Sequence, residues 1–444
     1  MSRLSICLLL RFLSGLVFLT AVIKRRQRQI QRPLSAKAAS ITASSKQLKQ
    51  PKQHNMHSVA LDSTVHSADN DNMQPDAPVV DQLHQTPVIV IGNLTVGGTG
   101  KTPLLIALAR RFEQAGLTVG VMSRGYGGCA PYYPYCVSQQ DPPSKVGDEA
   151  LLIARAIAGS LVIAPQRRAA LSKLIEQTPQ VDIIFSDDGL QHTALPRQVE
   201  WVVIDGQRGL GNGLCLPAGP LREPVHHLLS YDGAFINNLP SDHQADQAQQ
   251  APHCSFDTMR QLADKLPLYP IELKRVGWYS VSNPEVPTQL LPADELKKQY
   301  PSIIALTAIG NPQRFLSILD QLGLDYATCL FPDHHLFSWQ DLLSLDPTAL
   351  VLTTEKDQVK LAQLLQQIPS TQTEAMNEQI NQLKKAMSNH WHYLKIDMMF
   401  AEDVWQRVLT GLLAKLAPWP ALVKKIKRHY KIDEKRQDKT DQKK

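Results

Sequence analysis

The segment that most restricts what this chain can fold into is Ile91-Gly92-Asn93-Leu94-Thr95-Val96-Gly97-Gly98-Thr99-Gly100-Lys101-Thr102-Pro103. A short apolar run at 88–92 precedes it, and a stretch with helical periodicity at 101–114 follows. Strand, small-residue turn and helix in that order are the setting of a phosphate-binding loop. Small residues let backbone N–H groups close on phosphate oxygens, and the helix N-terminus adds partial positive charge. Thr95, Val96, Gly97, Gly98, Thr99 and Gly100 are expected to cradle nucleotide phosphates. Lys101 is expected at the β- and γ-phosphates, and the Thr102 hydroxyl on Mg²⁺. The pattern departs from G-x-x-x-x-G-K-[ST] where Thr95 stands for the first glycine; Gly97 and Gly98 supply the freedom instead. The bland alternative is a Gly-rich turn with an incidental lysine.

The alternation continues. Runs at 118–122, 181–185 and 201–204 read as strands, and 147–158 and 166–177 as helices. A second series has strands at 303–307, 326–330, 350–353 and 393–396, with helices at 312–322, 356–366 and 401–416. Such alternation implies a parallel sheet with helices on both faces. The expected fold class is α/β, with a P-loop NTPase-like parallel-sheet core over 86–270 and a second, smaller α/β lobe over 301–420. The Gln-rich stretches 240–265 and 368–385 read as surface insertions, 33–85 as a flexible linker and 421–444 as a solvated basic tail.

A nucleotide also needs an acid to hold its metal. The run from Val181 to Phe185 ends in Ser186-Asp187-Asp188, the Walker-B pattern, so Asp187 or Asp188 is expected to hold Mg²⁺ directly or through water. Aspartate is also a common turn former there, and the pair gains its weight from the loop. No guanine-reading [NT]-K-x-D motif occurs; Thr354-Glu355-Lys356-Asp357 has its lysine one place late. ATP is expected rather than GTP.

The formal net charge of +6 is unevenly spread: 1–32 carry seven basic residues and no acid, 423–444 carry a net +6, and 33–422 carry −7. An acidic body argues against a nucleic-acid partner, which would need basic residues across a domain. The apolar run 4–23 followed by Lys24-Arg25-Arg26 reads as a membrane-associated helix over 1–32, spanning or lying on the surface. A cleaved signal fits worse, because its basic residues precede the apolar run. The six cysteines form no C-x-x-C pair, and scattered thiols in a reducing compartment are expected, with a Cys129–Cys136 bridge the alternative.

The motifs resemble the tetraacyldisaccharide 4′-kinase family, the lipid A 4′-kinases of Gram-negative bacteria. The likeness runs through most of 87–360, in VIVIGNLTVGGTGKTP (88–103), SRGYGG (123–128), VGDEA (146–150), SDDGLQH (186–192) and DGQRGLGNG (205–213). It continues in LPAGPLREP (216–224), IGNP (309–312), FPDHH (331–335) and TTEKD (353–357), and Thr95 looks like the family's own variant. The linker and the Gln-rich insertions are less alike. The resemblance implies transfer of the ATP γ-phosphate to the 4′-hydroxyl of a tetraacyldisaccharide 1-phosphate, a lipid A disaccharide precursor, at the cytoplasmic face of the inner membrane. It also implies a hinge region at 271–300, an active-site cleft between the lobes, and an N-terminal helix meeting the lipid surface.

A sugar hydroxyl is a poor nucleophile, and a carboxylate commonly accepts its proton. Asp148 follows Gly147 at a helix start, where capping alone would explain it. The resemblance makes Asp148 the catalytic base and His334 the group that orients or tunes it from the second lobe, with His335 the ambiguous neighbour. Arg222 and Glu223 follow the rigid stretch Leu216-Pro217-Ala218-Gly219-Pro220 and suit the γ-phosphate and a metal or its waters, or else a local ion pair. Arg168 is expected at the nucleotide or the lipid phosphate, against a solvated helix-start arginine. Gln191 and His192 are expected near phosphate or metal waters. Arg124 and Tyr126 are expected at the substrate, because ligands bind at the C-terminal ends of parallel strands. Glu355, Lys356 and Asp357 carry no role read from the residues. A partition-type ATPase is disfavoured because Val96 stands where its signature lysine falls; a membrane-associated nucleotide-binding switch is the other alternative. The sequence is silent on oligomeric partners.

Overall fold

The phosphate-loop strand lies inside a parallel sheet, as the alternation predicts. The computed structural model describes residues 86–237, 265–285, 287–367 and 373–432. The expectations for the N-terminal helix, the linker, the Gln-rich segment before 265 and the last twelve residues therefore lie outside the described residues.

Strand β1 (Val88–Gly92) is flanked in parallel by β5 (Ile183–Asp187) and β6 (Val199–Asp205), with Ile91 opposite Asp187. On the β5 side follow β2 (Val119–Ser123), β4 (Ser160–Ile163) and the antiparallel edge β3 (Tyr135–Cys136). On the β6 side follow β7 (Gly233–Asn237) and β8 (Leu268–Ser280). Every residue of β1, β2, β5, β6 and β7 is buried, which is why these strands read as continuous apolar runs rather than alternating ones.

Helices cover both faces. On one face α1 (Lys101–Gln114) and α2 (Asp148–Ala156) set Leu105, Leu108, Phe112, Leu151 and Ile153 against Ile89, Ile91 and Phe185. On the other, α3 (Arg167–Gln177) sets Ala170, Leu171 and Leu174 against Val88, Val90 and Ile184. Each fully buried Leu or Phe contributes about 1.5–3 kcal/mol relative to exposure.

The second series of elements builds β10 (Ile303–Thr307), β11 (Ala327–Leu330), β12 (Leu350–Thr354) and β13 (Trp391–Met399), all parallel to their neighbours in the order β11, β10, β12, β13. The two-residue β9 (Pro287–Thr288) and β13 both run antiparallel to β8. The first residues of β8 pair with β7 and the remainder with β13, so one 13-residue strand belongs to both halves of the sheet. Residues 271–280, read from sequence as the start of a hinge region, are thus extended and hydrogen-bonded. Helix α4 (Glu355–Gln366) follows β12.

Two readings of surface segments are corrected. Residues 374–389, within and beyond the supposed insertion 368–385, form helix α5 (Glu374–Asn389), which buries Ile380, Leu383 and Met387. Those apolar residues recur every three or four positions, and the surrounding glutamines and lysines are the solvent face. The start of the supposed tail is helix α7 (Pro420–Tyr430), which follows α6 (Glu402–Lys415) and buries Leu422 and Ile426 in the core with Trp405. The Tyr430 hydroxyl donates to the Arg111 carbonyl, fastening α7 to the end of α1.

Candidate active site

At the C-terminal ends of β1, β2 and β5 opens a cleft of about 740 Å³, lined from the first half by Gly97 through Pro103, Arg124, Tyr126, Asp187, Asp188, Gln191, His192 and Arg222, and from the second by Asp333, His334 and Lys356. The phosphate loop is braced on three sides. The Asn93 side-chain amide donates to the Thr95 carbonyl at 2.6 Å and to that of Gly97 at 3.3 Å. Asn237, on β7, donates to the Thr99 carbonyl. Val96 N–H donates to the Pro220 carbonyl at 2.9 Å. Gly100, the residue before α1, has φ +87 and its missing Cβ would meet the Asn237 amide, so a side chain here is excluded twice over. The Thr99 hydroxyl is buried without a hydrogen-bond partner among the described residues.

Lys101 donates to Asn93 Oδ1 at 2.9 Å and lies 3.5 Å from Asp188 Oδ1. Arg222 approaches both Asp188 oxygens at 2.9 Å. Burial disfavours the Asp188 charge, but Lys101 and Arg222 outweigh it and hold the carboxyl below its ordinary range. Asp187 differs. Burial, then the Glu149 charge, push its carboxyl up to about 6 against the pull of Lys101. Its Oδ2 accepts from the Ser123 hydroxyl at 3.2 Å, while Oδ1 is buried with no hydrogen-bond partner among the described residues. An orphaned carboxylate oxygen on a cleft wall beside Asp188 and Thr102 fits a cation. Among the described residues no three His, Cys, Asp or Glu groups converge on one point. A Mg²⁺ here fits only with its coordination shared among one or two carboxylates, water and nucleotide phosphates, its usual mode.

The sequence places Asp148 and His334 far apart, and the fold joins them. His334 Nδ1 lies 2.9 Å from Asp148 Oδ1 and 3.2 Å from Oδ2. Gly147, at φ +89, turns the chain into α2, and a Cβ there would strike the Tyr126 carbonyl. Asp148 is the first residue of α2 and only 4% exposed, immediately behind the cleft-lining Glu149 and His334. Burial raises the Asp148 carboxyl, but the His334 hydrogen bond and the charges of Lys356 and Lys360 outweigh it and hold it low. The same bond raises the His334 imidazole, with burial and Lys356 opposing. Tyr126 sets its ring 4.9 Å from that of His334. His335 turns away and pairs with Asp341 at 3.1 Å.

Two expected site residues sit elsewhere. Arg168 is exposed and does not line the cleft; its neighbour Arg167 is 3% exposed, does line it, and donates to the carbonyls of Asp187 and Ala164 at 3.0 Å each. Helical phase was the signal, since Arg167 shares a face with the buried Ala170, Leu171 and Leu174. Glu223 does not reach the cleft. It is buried, accepts from Gln191 at 2.8 Å and from Tyr231 at 3.1 Å, and lies 3.0 Å from His227 Nδ1. Its carboxylate holds Gln191 in the cleft wall. His192 does line the cleft, and burial with the charges of Arg167, Arg197 and Arg124 pushes it down to about 4, so it is a neutral imidazole there at pH 7.

Three further cleft-wall or loop-bracing residues escape a reading by motif. Asn93 carries no sequence signal beyond its place before the loop. Lys356 sits in the first turn of a helix, where the dipole disfavours a cation and a partner is called for. Glu355 lines the cleft, and burial pushes its carboxyl up to about 7.

The model of the Tetraacyldisaccharide-1-P 4'-kinase family matches residues 76–413. The tetraacyldisaccharide 4'-kinase of Legionella pneumophila (strain Corby) is 42% identical over 279 residues, 63% of this chain and 76% of the relative. That of Psychrobacter arcticus is 36% identical over 321 residues, 72% of this chain and 81% of the relative. The crystal structure of LpxK from Aquifex aeolicus in complex with ATP shares the fold, with a TM-score of 0.51 at 21% identity over 74% of this chain and 88% of that one. With the family model matching most of this chain, from residue 76 to residue 413, and relatives 36% and 42% identical to it, the chain belongs to the tetraacyldisaccharide-1-P 4'-kinase family.

Proposed function

We propose that this chain transfers the γ-phosphate of ATP to the 4′-hydroxyl of a tetraacyldisaccharide 1-phosphate, with Asp148 as proton acceptor. The observation that carries the reading is the convergence, on one cleft, of a braced phosphate loop and the Asp148–His334 pair at 2.9 Å. The hydroxyl oxygen bonds to the γ-phosphorus, the bond from that phosphorus to the β–γ bridging oxygen breaks, ADP leaves, and the hydroxyl proton passes to the Asp148 carboxylate. Most of the work in such a transfer is positioning and charge cancellation. Loop N–H groups and Lys101 hold the phosphates, and Arg222, fixed by Asp188, faces the transferring group. Asp187, Asp188 and Thr102 would hold Mg²⁺, which supplies charge neutralisation on the phosphates. Arg124 and Tyr126 are assigned to the acceptor, Gln191 and His192 to phosphate or water, and Arg167 takes the place first given to Arg168.

The two halves of the sheet act as lobes that close over the substrates, with β8 and β13 as the connection. The chain works at the cytoplasmic face of the inner membrane, held by residues 1–32. The apolar run with its basic flank supports this, since such a flank stays near anionic lipid on that side. Among the described residues no helix is long and apolar enough to cross a membrane. Incubation with γ-labelled ATP, Mg²⁺ and the lipid acceptor tests the activity. Label moving to the lipid supports the reading, and ATP turnover indifferent to the lipid overturns it. Deleting 1–32 should release the protein from vesicles.

A further inference from the structure

Lys356 lies in the first turn of α4, half-buried, with its ammonium among four polar groups on the cleft wall. Glu149 Oε1 is at 3.1 Å, Asp333 Oδ1 at 3.3 Å and His334 Nε2 at 3.4 Å, with Asp148 Oδ2 at 3.7 Å. An ammonium has three N–H donors and no lone pair. Glu149, Asp333 and His334 take one donor each. Burial disfavours the charge, but Glu149, Asp148 and Asp333 outweigh it and keep Lys356 protonated. The hydrogen bond between Lys356 and His334 therefore runs one way: Nζ donates and Nε2 accepts. The single ring proton is left on Nδ1, where it is donated to Asp148 Oδ1 at 2.9 Å. Asp333 Oδ2, at 3.7 Å, is the one anionic group paired with Nε2 among the described residues, and its other oxygen is engaged by Lys356. Tyr126 meets the ring as an uncharged neighbour, and Lys360 places a second positive charge 3.9 Å from Asp148 Oδ2. Asp148 Oδ1 also accepts from the Glu149 N–H at 2.8 Å, whereas Oδ2 lies farther from His334 Nδ1, at 3.2 Å, and has no backbone donor among the described residues.

We propose that Lys356 is a positioning residue for the phosphoryl transfer: it holds His334 Nε2 unprotonated, so that the ring stays the neutral Nδ1–H tautomer and Asp148 stays a carboxylate, with Oδ2 the oxygen that takes the hydroxyl proton. The proposal rests on the reading of Asp148 as proton acceptor. The Asp148 bond raises the His334 imidazole, but an imidazolium would face the Lys356 ammonium at 3.4 Å, so Lys356 keeps the ring neutral to lower pH than Asp148 alone would allow. The network also crosses the cleft. Asp148 and Glu149 stand on α2 of the first half, Lys356 and His334 on the second, so the tautomer is set only when the halves meet.

Nitrogen-15 NMR of the full chain with labelled histidine tests the tautomer directly, the His334 signals being those lost in His334→Gln. At pH 8 Nε2 is expected unprotonated and Nδ1 protonated, and in Lys356→Gln, where Asp148 still holds the Nδ1 proton, Nε2 should take up its proton at higher pH than in the wild type. A wild-type His334 protonated on Nε2 overturns the proposal, whatever the lipid assay shows. The pH profile of kcat is the second readout. Lys356→Gln should move the acid limb upward by about one pH unit with the ATP KM unchanged, and Lys356→Arg should restore it. A uniform loss of kcat with the limb unmoved overturns it. Full transfer by Asp148→Asn would instead remove the proton-acceptor reading, while leaving the NMR result standing.

Discussion

His334 Nδ1 lies 2.9 Å from Asp148 Oδ1, although 186 positions separate the two residues in the chain. The bond joins the loop after β11 to the first residue of α2 and spans the cleft. If Asp148 takes the proton, Asp148→Asn should cost about 10²–10⁴ in kcat, the range for a general base. His334→Gln should cost less, with little change in ATP affinity. Steady-state kinetics at saturating lipid decide the order, and a His334 variant that falls further than the Asp148 variant would move the base to the imidazole.

Asp187 makes a pH prediction. Its folded value, about 6, lies above the ordinary 3.8, so the native state holds the proton more tightly. Stability is then lost as pH rises between those two values and stays lower above them. In nucleotide-free protein Asp187→Asn, which cannot ionise, should be more stable than wild type at pH 8, on the order of 2 kcal/mol, while transfer is abolished. The gap should close at pH 4. Denaturant melts at both pH values check this, and a gap unchanged at pH 4 would attribute it to packing.

The paired arginines separate cleanly. Arg167→Ala leaves two buried carbonyls without their donor and should destabilise by about 1–3 kcal/mol and impair transfer. Arg168→Ala should leave both within error, because its side chain is exposed. Thermal melts and the lipid assay on the two variants are the measurement. Equal effects would contradict the difference in burial.

The C-terminal helix should behave as core. Truncation after Ala417 removes the buried Leu422 and Ile426 together with the Tyr430 anchor, and should cost several kcal/mol. Truncation after Ile432 should leave the melting temperature unchanged. A full-stability protein lacking 420–444 would return that segment to the surface.

What the sequence by itself determined is local. The phosphate-loop motif 95–102 leading into α1, the aspartate pair at the end of β5 and the parallel alternation are each written within about a dozen residues, where turn chemistry and periodicity act. The tertiary structure decided which neighbours those residues meet. It chose Arg167 over Arg168 by the phase of α3 against the sheet, and it turned Glu223 inward to hold Gln191. It made α5 and α7 core helices by giving their apolar stripes a surface to cover. Above all it set Lys356 between Glu149, Asp333 and His334, partners up to 207 positions away. A carboxylate or an imidazole takes its proton affinity from the charges and burial around it. Those are fixed only when β8 and β13 bring the two halves of the sheet together, so no motif could carry them.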